Sequence, residues 1–120
     1  MSRIKNVLEY LEESAEKFPH KIAFADEEKS VTYTQLMENA KKMACGILKR
    51  TMPRQPVAVL GEKSVETVTA FLACVYAGCF YVPLNPLHPG SRREAIWKKM
   101  GYPLLLAKEK CGALIPSVEI

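Results

Sequence analysis

The chain has 120 residues, of which 48% are hydrophobic and 25% are charged, and its formal net charge is +4. This length fits one domain, is enough to bury a hydrophobic core, and leaves no room for a second domain. The composition is close to that of ordinary globular proteins, which excludes a disordered, collagen-like or coiled-coil chain.

The first predicted elements are a helix and a β-hairpin. Apolar residues recur at helical spacing between Asn6 and Phe18, and Asn6 stands three residues before Glu9, as in a capping box. Two short apolar runs, 22–25 and 31–33, flank a polar turn, which is the pattern of two paired strands. An N-terminal helix and hairpin are therefore expected to precede the rest of the fold.

The middle of the chain has the pattern of helices layered on a parallel sheet. Thr34 is predicted to cap a second helix, whose apolar stripe spans residues 36–48. Residues 57–60 are apolar on both faces, as in a strand that helices cover on both sides. Ser64 is predicted to cap a third helix, and Gly78 to end it.

Two further strands are predicted in the second half of the chain. Residues 80–82 are expected to form a buried strand that Pro83 ends, and residues 104–106 another. Between them, Ser91 and Glu94 have the spacing of a capping box at the start of a fourth helix. The order strand, helix, strand, helix, strand predicts an α/β fold with right-handed crossovers.

The last residues predict one more strand. Residues 118–120 alternate between apolar and polar side chains, like the start of a strand. Natural domains seldom stop on the first residues of an apolar strand. We therefore expect residues 1–120 to form a single partial domain of a longer protein.

Charge and cysteine usage are typical of an ordinary cytoplasmic protein. The densest basic spots lie in segments with helical periodicity, where we expect solvated helix faces and not a nucleic-acid footprint. They are Lys41-Lys42, Lys49-Arg50, Arg92-Arg93 and Lys98-Lys99. The cysteines form no C-x-x-C pair and have no histidine at metal-ligand spacing. They are Cys45, Cys74, Cys79 and Cys111. Reduced cysteines, with no signal peptide and no membrane-spanning apolar run, predict a cytoplasmic location.

Candidate catalytic groups are few. The run Gly61-Glu62-Lys63-Ser64 joins a buried strand to a helix, and such a helix N-terminus with a lysine can bind phosphate. The spacing of a phosphate loop is absent and Glu62 adds a negative charge, so a simple helix cap is favoured. His20 and His88 stand beside prolines in predicted turns, without a nucleophile or carboxylate at recognisable spacing. The sequence thus predicts no catalytic, cofactor-binding or metal-binding residue.

Two stretches resemble motifs of the adenylate-forming enzyme superfamily. Residues 31–36 read V-T-Y-T-Q-L, which is similar to the family's L-T-Y-x-E-L with Gln35 in place of glutamate. Residues 76–86 read Y-A-G-C-F-Y-V-P-L-N-P, which is similar to K-A-G-x-x-Y-V-P-L-D-P with Tyr76 and Asn85 in place of lysine and aspartate. The spacing between the two motifs also matches, so the resemblance covers essentially the whole chain. The superfamily includes the adenylation domains of nonribosomal peptide synthetases, D-alanine–carrier-protein ligases and acyl-CoA synthetases.

The resemblance implies a scaffold role for the residues that match. In the family, these motifs join a strand to a capped helix, close a buried helix against the sheet and stiffen a loop. The matching positions are Thr32, Tyr33, Leu36, Ala77, Gly78, Tyr81, Val82, Pro83 and Pro86. The implied fold is an incomplete N-terminal subdomain of the adenylate-forming fold, with helices layered on a mostly parallel sheet.

The resemblance also implies an activity for a longer parent protein. The family uses Mg-ATP to convert a carboxylate into an acyl-adenylate, and then transfers the acyl group to the thiol of a carrier protein or of CoA. The phosphate-binding loop, the residues that hold the nucleotide and a C-terminal lysine all lie beyond the region that this chain resembles. The resemblance therefore implies a ligase fragment that binds no cofactor and is inactive alone. Residues 80–83 resemble the amino-acid-activating members of the family, whereas Asn85-Pro86 resembles the acyl-CoA ligases. An amino acid is favoured as the parent's substrate, and a carrier protein as the acceptor.

Two expectations about partners follow. The remainder of the adenylation domain is the expected partner of the fragment, and an exposed apolar edge predicts self-association in its absence. The alternative is a stand-alone binding or regulatory module that has the same scaffold and no catalytic function.

Overall fold

The elements of the computed structural model follow the predicted order along the chain. The structure describes residues 6–61, 64–85, 87–101, 103–107 and 118–119. Within them the helices are α1 (Val7–Lys17), α2 (Tyr33–Leu48), α3 (Val65–Tyr76) and α4 (Gly90–Lys99). The strands are β1 (Ile22–Ala25), β2 (Ser30–Thr32), β3 (Pro56–Leu60), β4 (Phe80–Leu84), β5 (Leu104–Ala107) and β6 (Val118–Glu119). The α/β class is therefore confirmed.

The last four strands form one parallel sheet, in the order β4-β3-β5-β6. In its middle, Val57 of β3 lies beside Tyr81 of β4 on one side and Leu104 of β5 on the other. The chain crosses from β3 to β4 through α3 in one direction, and from β4 to β5 through α4 in the opposite direction. Because such crossovers are right-handed, opposite directions place the two helices on opposite faces of the sheet. The pairing of β6 with β5 confirms the strand predicted at the last residues.

The hydrophobic core is divided between the two faces of this sheet. Side chains alternate along β3, so that Val57 and Val59 belong to the cluster packed against α2 and α3. Ala58 and Leu60 belong to a second cluster, which contains Trp97 of α4. The central strand is therefore buried on both faces, as its apolar sequence predicts.

The helix α1 and the hairpin form a further layer against α2 and α3. The strands β1 and β2 pair antiparallel, with Phe24 beside Val31. A separate buried cluster joins Leu11 of α1 and Val31 of β2 to Leu36 of α2 and Val65 of α3. The N-terminal elements are thus packed on the helices and not on the parallel sheet.

The N-terminal cap of α2 differs from the prediction. Thr32 is the N-cap, not Thr34, and β2 ends at Thr32. The Thr32 Oγ1 accepts a hydrogen bond from the Gln35 N–H (3.2 Å), and the Gln35 Oε1 accepts one from the Thr32 N–H (3.0 Å). Only Thr32 stands three residues before Gln35, which this reciprocal arrangement requires. The cap of α1 is confirmed, because the Asn6 Oδ1 accepts from the Glu9 N–H (2.9 Å).

The helix α4 starts without the predicted capping box. Its first residue is Gly90, its N-cap is Pro89, and no side chain caps it by a hydrogen bond. The prediction for Ser91 and Glu94 is therefore wrong. Ser91 already lies inside the first turn, where its side chain is not placed to accept from the N–H groups that a cap satisfies.

The strand β4 departs most from the prediction. It continues through Pro83 to Leu84 and does not end at Pro83. Its predicted burial is also wrong, since Phe80 is 65% exposed and Tyr81 is 44% exposed. Among the described strands β4 pairs only with β3, so it lies at an edge of the sheet. Proline is tolerated in an edge strand because the N–H that it lacks would point away from the neighbouring strand.

Candidate functional site

The first motif forms the junction between the hairpin and α2. The Tyr33 N–H donates to the carbonyl oxygen of Lys21 (3.0 Å), which fixes the start of the helix beside β1. Leu36 is 5% exposed and lies in the core cluster beneath α1. Glutamate and glutamine side chains both carry the oxygen that completes a capping box, so Gln35 with Thr32 preserves the structure of the family motif.

The second motif closes α3 against the sheet. Ala77 is the C-cap of the helix and is 3% exposed, and Gly78 follows it with a φ of +74°. The Gly78 N–H donates to the Val75 carbonyl oxygen (3.0 Å), and the Cys79 N–H donates to the Cys74 carbonyl oxygen (2.9 Å). This pair of hydrogen bonds is a Schellman motif, which needs a left-handed residue that glycine adopts without steric cost.

The remaining motif residues form the edge strand. The Tyr81 ring stacks on Phe71 of α3, with the ring centroids 4.6 Å apart. Val82 is half-buried and Pro83 is exposed. Pro86 lies outside the described residues. The described motif residues thus occupy helix ends, core positions and the edge of the sheet.

Tyr76 stands where the family motif has a lysine, and it connects three helices. Its hydroxyl donates to the Glu12 Oε1 of α1 (3.2 Å), and the Lys41 Nζ of α2 lies 3.3 Å from the same oxygen. The Lys41 Nζ also lies 5.7 Å from the centre of the Tyr76 ring. Burial of the phenol, with the negative charge of Glu12, raises the pKa of Tyr76 to about 12. No motif or spacing in the sequence indicated this cluster.

Asp26, in the hairpin turn, lies at the N-terminus of α3. Its Oδ2 accepts from the Val65 N–H (2.8 Å), and its Oδ1 accepts from the N–H groups of Glu28 (2.7 Å) and Lys29 (2.9 Å). Lys29 also forms an ion pair with Glu66 of α3. The N–H of Val65, followed by those of Lys29 and Glu28, holds the pKa of Asp26 below its usual range. The hairpin is therefore attached to α3 by a carboxylate that favours its ionised form.

Of the run at 61–64, the structure describes Gly61 and Ser64. Ser64 is the N-cap of α3, which agrees with the helix cap that the sequence favours. The Ser64 Oγ accepts from the Thr67 N–H (3.2 Å), while Asp26 accepts the first N–H of α3. A Cβ on Gly61 would lie 2.4 Å from the Thr67 Oγ1, so the Thr67 side chain occupies the space next to this turn. A triphosphate does not fit this helix N-terminus, because the Asp26 carboxylate already holds its positive end and would repel a second anion.

The cysteines that the structure describes are free thiols. Cys74 and Cys79 are buried in the core cluster between α3 and the sheet, and Cys45 is exposed on α2. Burial raises the pKa of the Cys74 thiol to about 12, and it also raises the pKa of Cys79. The two buried thiols therefore stay protonated and are poor nucleophiles. Cys111 lies outside the described residues.

The two histidines lie between elements, as predicted. His20 is exposed after α1, and His88 is half-buried before α4. Among the residues that the structure describes, no group of three or more His, Cys, Asp or Glu side chains could hold a metal ion. A search of the same residues finds no helix that is long and apolar enough to cross a membrane.

A family model covers nearly the whole chain. The model describes AMP-binding enzymes, and it matches residues 11–119. The match begins within α1 and ends in β6, so it includes both motifs and all four described strands of the parallel sheet.

Relatives in sequence are synthase subunits that are much longer than this chain. The chain is 34% identical over 116 residues to surfactin synthase subunit 1 of Bacillus subtilis, covering 96% of this chain and 3% of that protein. It is 30% identical over 115 residues to tyrocidine synthase 1 of Brevibacillus parabrevis, covering 95% of this chain and 11% of that protein. The chain thus spans a small part of the length of the relatives that it matches.

Solved structures share the fold. The N-terminal subdomain of Klebsiella oxytoca NpsA gives a TM-score of 0.81 at 22% identity, covering 97% of this chain and 32% of that one. PA1221, an NRPS protein containing adenylation and PCP domains, gives a TM-score of 0.80 at 26% identity, covering 93% of this chain and 23% of that one. These matches confirm that the fold is that of the N-terminal subdomain of adenylate-forming enzymes. From the family match and the relatives together, the chain belongs to the AMP-binding enzyme family.

Proposed function

We propose that this chain is the N-terminal scaffold portion of an ATP-dependent ligase, which activates a carboxylic acid as an acyl-adenylate and transfers it to a thiol. The observation that carries the proposal is the AMP-binding family match over residues 11–119 of a 120-residue chain. The chain covers only 32% of the NpsA N-terminal subdomain and 3% of surfactin synthase subunit 1. The complete activity is therefore proposed for a larger protein or assembly, to which this chain contributes one part.

An amino acid is the proposed substrate, and a carrier protein is the proposed acceptor. The relatives in sequence include surfactin synthase subunit 1 and tyrocidine synthase 1, and PA1221 is an NRPS protein with an adenylation domain, which supports an amino acid. PA1221 combines adenylation and PCP domains, which supports a carrier protein as the acceptor. A fatty acid AMP ligase from Legionella pneumophila has the same fold, with a TM-score of 0.81 at 23% identity, so the fold by itself does not select the acid.

The chain alone is proposed to be inactive. Adenylyl transfer needs donors that stabilise the charge developing on the transferring group. The α3 N-terminus, where the sequence had raised a phosphate site, holds the Asp26 carboxylate and the Ser64 cap instead. Mg-ATP is accordingly proposed to bind the remainder of the parent, while the residues described here hold the sheet and its helices in place.

The parent is proposed to act in the cytoplasm. Cys45, Cys74 and Cys79 are free thiols. Free cysteines are typical of reducing compartments, in which disulfides do not persist.

Two measurements test the proposal. The first is the intact mass of the gene product in its native cells, detected through peptides from residues 1–120. We expect a species several-fold heavier than 13.5 kDa, or a 13.5 kDa species in a stable complex with a second polypeptide of the family. The second is ATP–pyrophosphate exchange, with a panel of amino acids and a matched panel of fatty acids. We expect exchange from the native product with an amino acid, and background from the purified chain.

The other outcomes separate the parts of the proposal. A 13.5 kDa species without an adenylate-forming partner would contradict the ligase and favour the stand-alone binding module. Exchange by the purified chain would contradict its inactivity alone. Exchange only with fatty acids would contradict the substrate class and leave adenylate formation in place.

A further inference from the structure

Two cysteines flank the turn that connects α3 to β4. Cys74 lies in the last turn of α3, and Cys79 immediately precedes β4. Both belong to the buried cluster between α3 and the sheet, and both are free thiols. The family motif that the chain resembles leaves the position of Cys79 open, so the scaffold role of that motif does not account for a thiol there.

The Schellman motif holds these two cysteines close together. Cys74 and Cys79 are its first and last residues, and the Cys79 N–H donates to the Cys74 carbonyl oxygen (2.9 Å). With standard bond lengths, this hydrogen bond limits the distance between the two Cα atoms to about 6.8 Å. Disulfides join Cα atoms that are about 4.4–6.8 Å apart. The turn therefore keeps the pair within the distance that a disulfide spans.

The side chains of the pair also interact. In a Schellman motif the side chains at these two positions frequently contact each other. Burial, and after it the charge of Cys79, raises the pKa of Cys74 to about 12, so the two sulfur atoms are close enough to affect each other. The fold thus brings together two thiols for which the proposed function has no use.

Cys79 in addition connects the turn to the loop before β3. Its thiol donates to the Met52 carbonyl oxygen (3.5 Å), and the Arg54 N–H donates to the Gly78 carbonyl oxygen (2.8 Å). The first of these two contacts needs the hydrogen on the Cys79 sulfur, whereas the second does not. A reaction that removes this hydrogen therefore changes how the turn holds the loop.

We propose that Cys74 and Cys79 are a reversible redox site, at which a peroxide joins the end of α3 to the start of β4 through a disulfide. Hydrogen peroxide is neutral and small, and it reaches Cys79, which is 7% exposed, before Cys74, which is fully buried. The Cys79 sulfur attacks one peroxide oxygen and breaks the O–O bond, which gives a sulfenic acid and one water. The Cys74 sulfur then displaces that oxygen as a second water. The pair loses two hydrogens and two electrons, and the peroxide is reduced.

Burial makes this site slow to respond. Peroxide reacts with the thiolate, and both thiols are protonated while the turn is closed. The reaction therefore proceeds through local opening of the turn. Once the disulfide has formed, the same core shields it from attack by a reducing thiol. The site thus records sustained oxidation in a compartment where disulfides are usually transient and redox-sensing.

Differential alkylation in the native cells tests the proposal. Cells with and without hydrogen peroxide treatment are quenched in acid, free thiols are alkylated, and the gene product is digested with trypsin. Residues 64–92 form one tryptic peptide that contains both cysteines. The disulfide leaves this peptide without alkyl groups and lighter than the dithiol by two hydrogens. We expect the share of this form to rise several-fold on treatment and to fall again after the oxidant is removed.

Cys79→Ala and Cys45→Ala are the matched variants, because each removes one thiol. Cys79 belongs to the proposed pair, whereas Cys45 is exposed on α2 and lies in a different tryptic peptide, residues 43–49. We expect Cys74 to remain open to alkylation after peroxide treatment of Cys79→Ala. In Cys45→Ala the disulfide should form as in the wild type. If Cys79→Ala does not fold, the wild-type peptide still decides the question.

A glutathione titration of the purified native product tests the geometry. The oxidised fraction of the pair is measured against the ratio of reduced to oxidised glutathione, in buffer and in concentrated urea. We expect the disulfide to be favoured at least about tenfold more in the folded protein, because the turn holds the thiols together. This equilibrium does not depend on how slowly the buried thiols react.

The remaining outcomes overturn the proposal. A peptide 64–92 that stays fully open to alkylation in treated cells would do so, as would oxidation that stops at an irreversible acid of Cys79. A disulfide from either residue to Cys45 or Cys111 would assign the chemistry to a different pair. A disulfide that is no more favoured in the folded protein than in urea would contradict the geometry. Adenylate formation is not a readout in these measurements, so they decide the redox site whether or not the proposed function holds.

Discussion

The two faces of the parallel sheet are covered in different ways. On one face α2 and α3 pack on the sheet, and α1 and the hairpin pack behind them. On the other face, within the described residues, α4 is the one helix in the core cluster. The first face is therefore held by several elements that also contact each other, while the second depends on a single short helix.

The side chains that join the helices to the sheet also differ between the two faces. On the first face α3 contributes small residues, such as Ala70 and Ala73, which let the helix approach the sheet closely. On the second face Trp97 is the one buried side chain of α4, and it packs on the alanines and leucines of the strands beside the partly buried Ile96 and Met100. A buried side chain as large as Trp97 makes many dispersion contacts, so its loss removes a large share of the packing between α4 and the sheet. The second face, which a single helix covers within the described residues, is therefore the weaker side of the fold.

Trp97→Ala tests the anchor of the second face. Trp97 is 6% exposed, and its Nε1–H donates to the Pro103 carbonyl oxygen (2.7 Å). The substitution leaves a cavity and an unpaired carbonyl, so we expect the free energy of unfolding to fall by about 4 kcal/mol. Denaturant unfolding followed by circular dichroism measures the change, since the chain has no second tryptophan for fluorescence.

The control for this substitution lies on the first face. Ile47 of α2 is 2% exposed, and we expect Ile47→Ala to cost about 3 kcal/mol. Hydrogen exchange distinguishes the two variants further. Trp97→Ala should raise exchange selectively in α4, whereas Ile47→Ala should raise it across the sheet and its helices. A larger cost for Ile47→Ala, or the same exchange pattern in both variants, would contradict the division of the two faces.

Gly78→Ala tests how α3 is closed against the first face. Gly78 has a φ of +74°, at which an L-residue costs about 1–2 kcal/mol. We therefore expect the variant to be less stable by about that amount. Gly46→Ala is the matched control, because Gly46 lies inside α2 and an added Cβ would meet nothing within 4 Å. There the same substitution should stabilise the chain by about 0.5–1 kcal/mol. Thermal unfolding measures both effects, and shifts of the same sign would refute the argument.

The element order could be predicted because periodicity is a local property of the sequence. Residues 57–60 predicted a buried strand, and they form the buried part of the central strand β3. The exposure of β4 could not be predicted in the same way. Apolar residues at 80–84 are typical of a strand that other elements cover on both faces. The position of a strand in the sheet order, however, depends on the path of the whole chain.

The contacts between distant residues were also beyond prediction. The cap of α2 is a different case, because Thr32 and Gln35 are three residues apart and their capping box is a local pattern that the sequence contains. Asp26 was visible in the sequence only as a residue of a polar turn. Its bond to the Val65 N–H joins residues that are 39 positions apart, and no local pattern records such a separation.

Asp26→Asn tests the attachment of the hairpin to the first face, and we expect the smallest effect here. The N–H groups of Val65, Lys29 and Glu28 favour the ionised carboxyl, so the pKa of Asp26 is lower in the folded chain than in the unfolded one. Stability from such a group is complete above the unfolded pKa, about 3.9, and is lost as the pH falls through the folded pKa. We expect Asp26→Asn to lower the thermal midpoint at neutral pH, with the difference from wild type shrinking below about pH 4. Glu27→Gln removes the same charge from the next residue and should have the smaller effect at neutral pH. A difference for Asp26→Asn that does not change with pH would mean that hydrogen-bond geometry, and not the carboxylate charge, attaches the hairpin to α3.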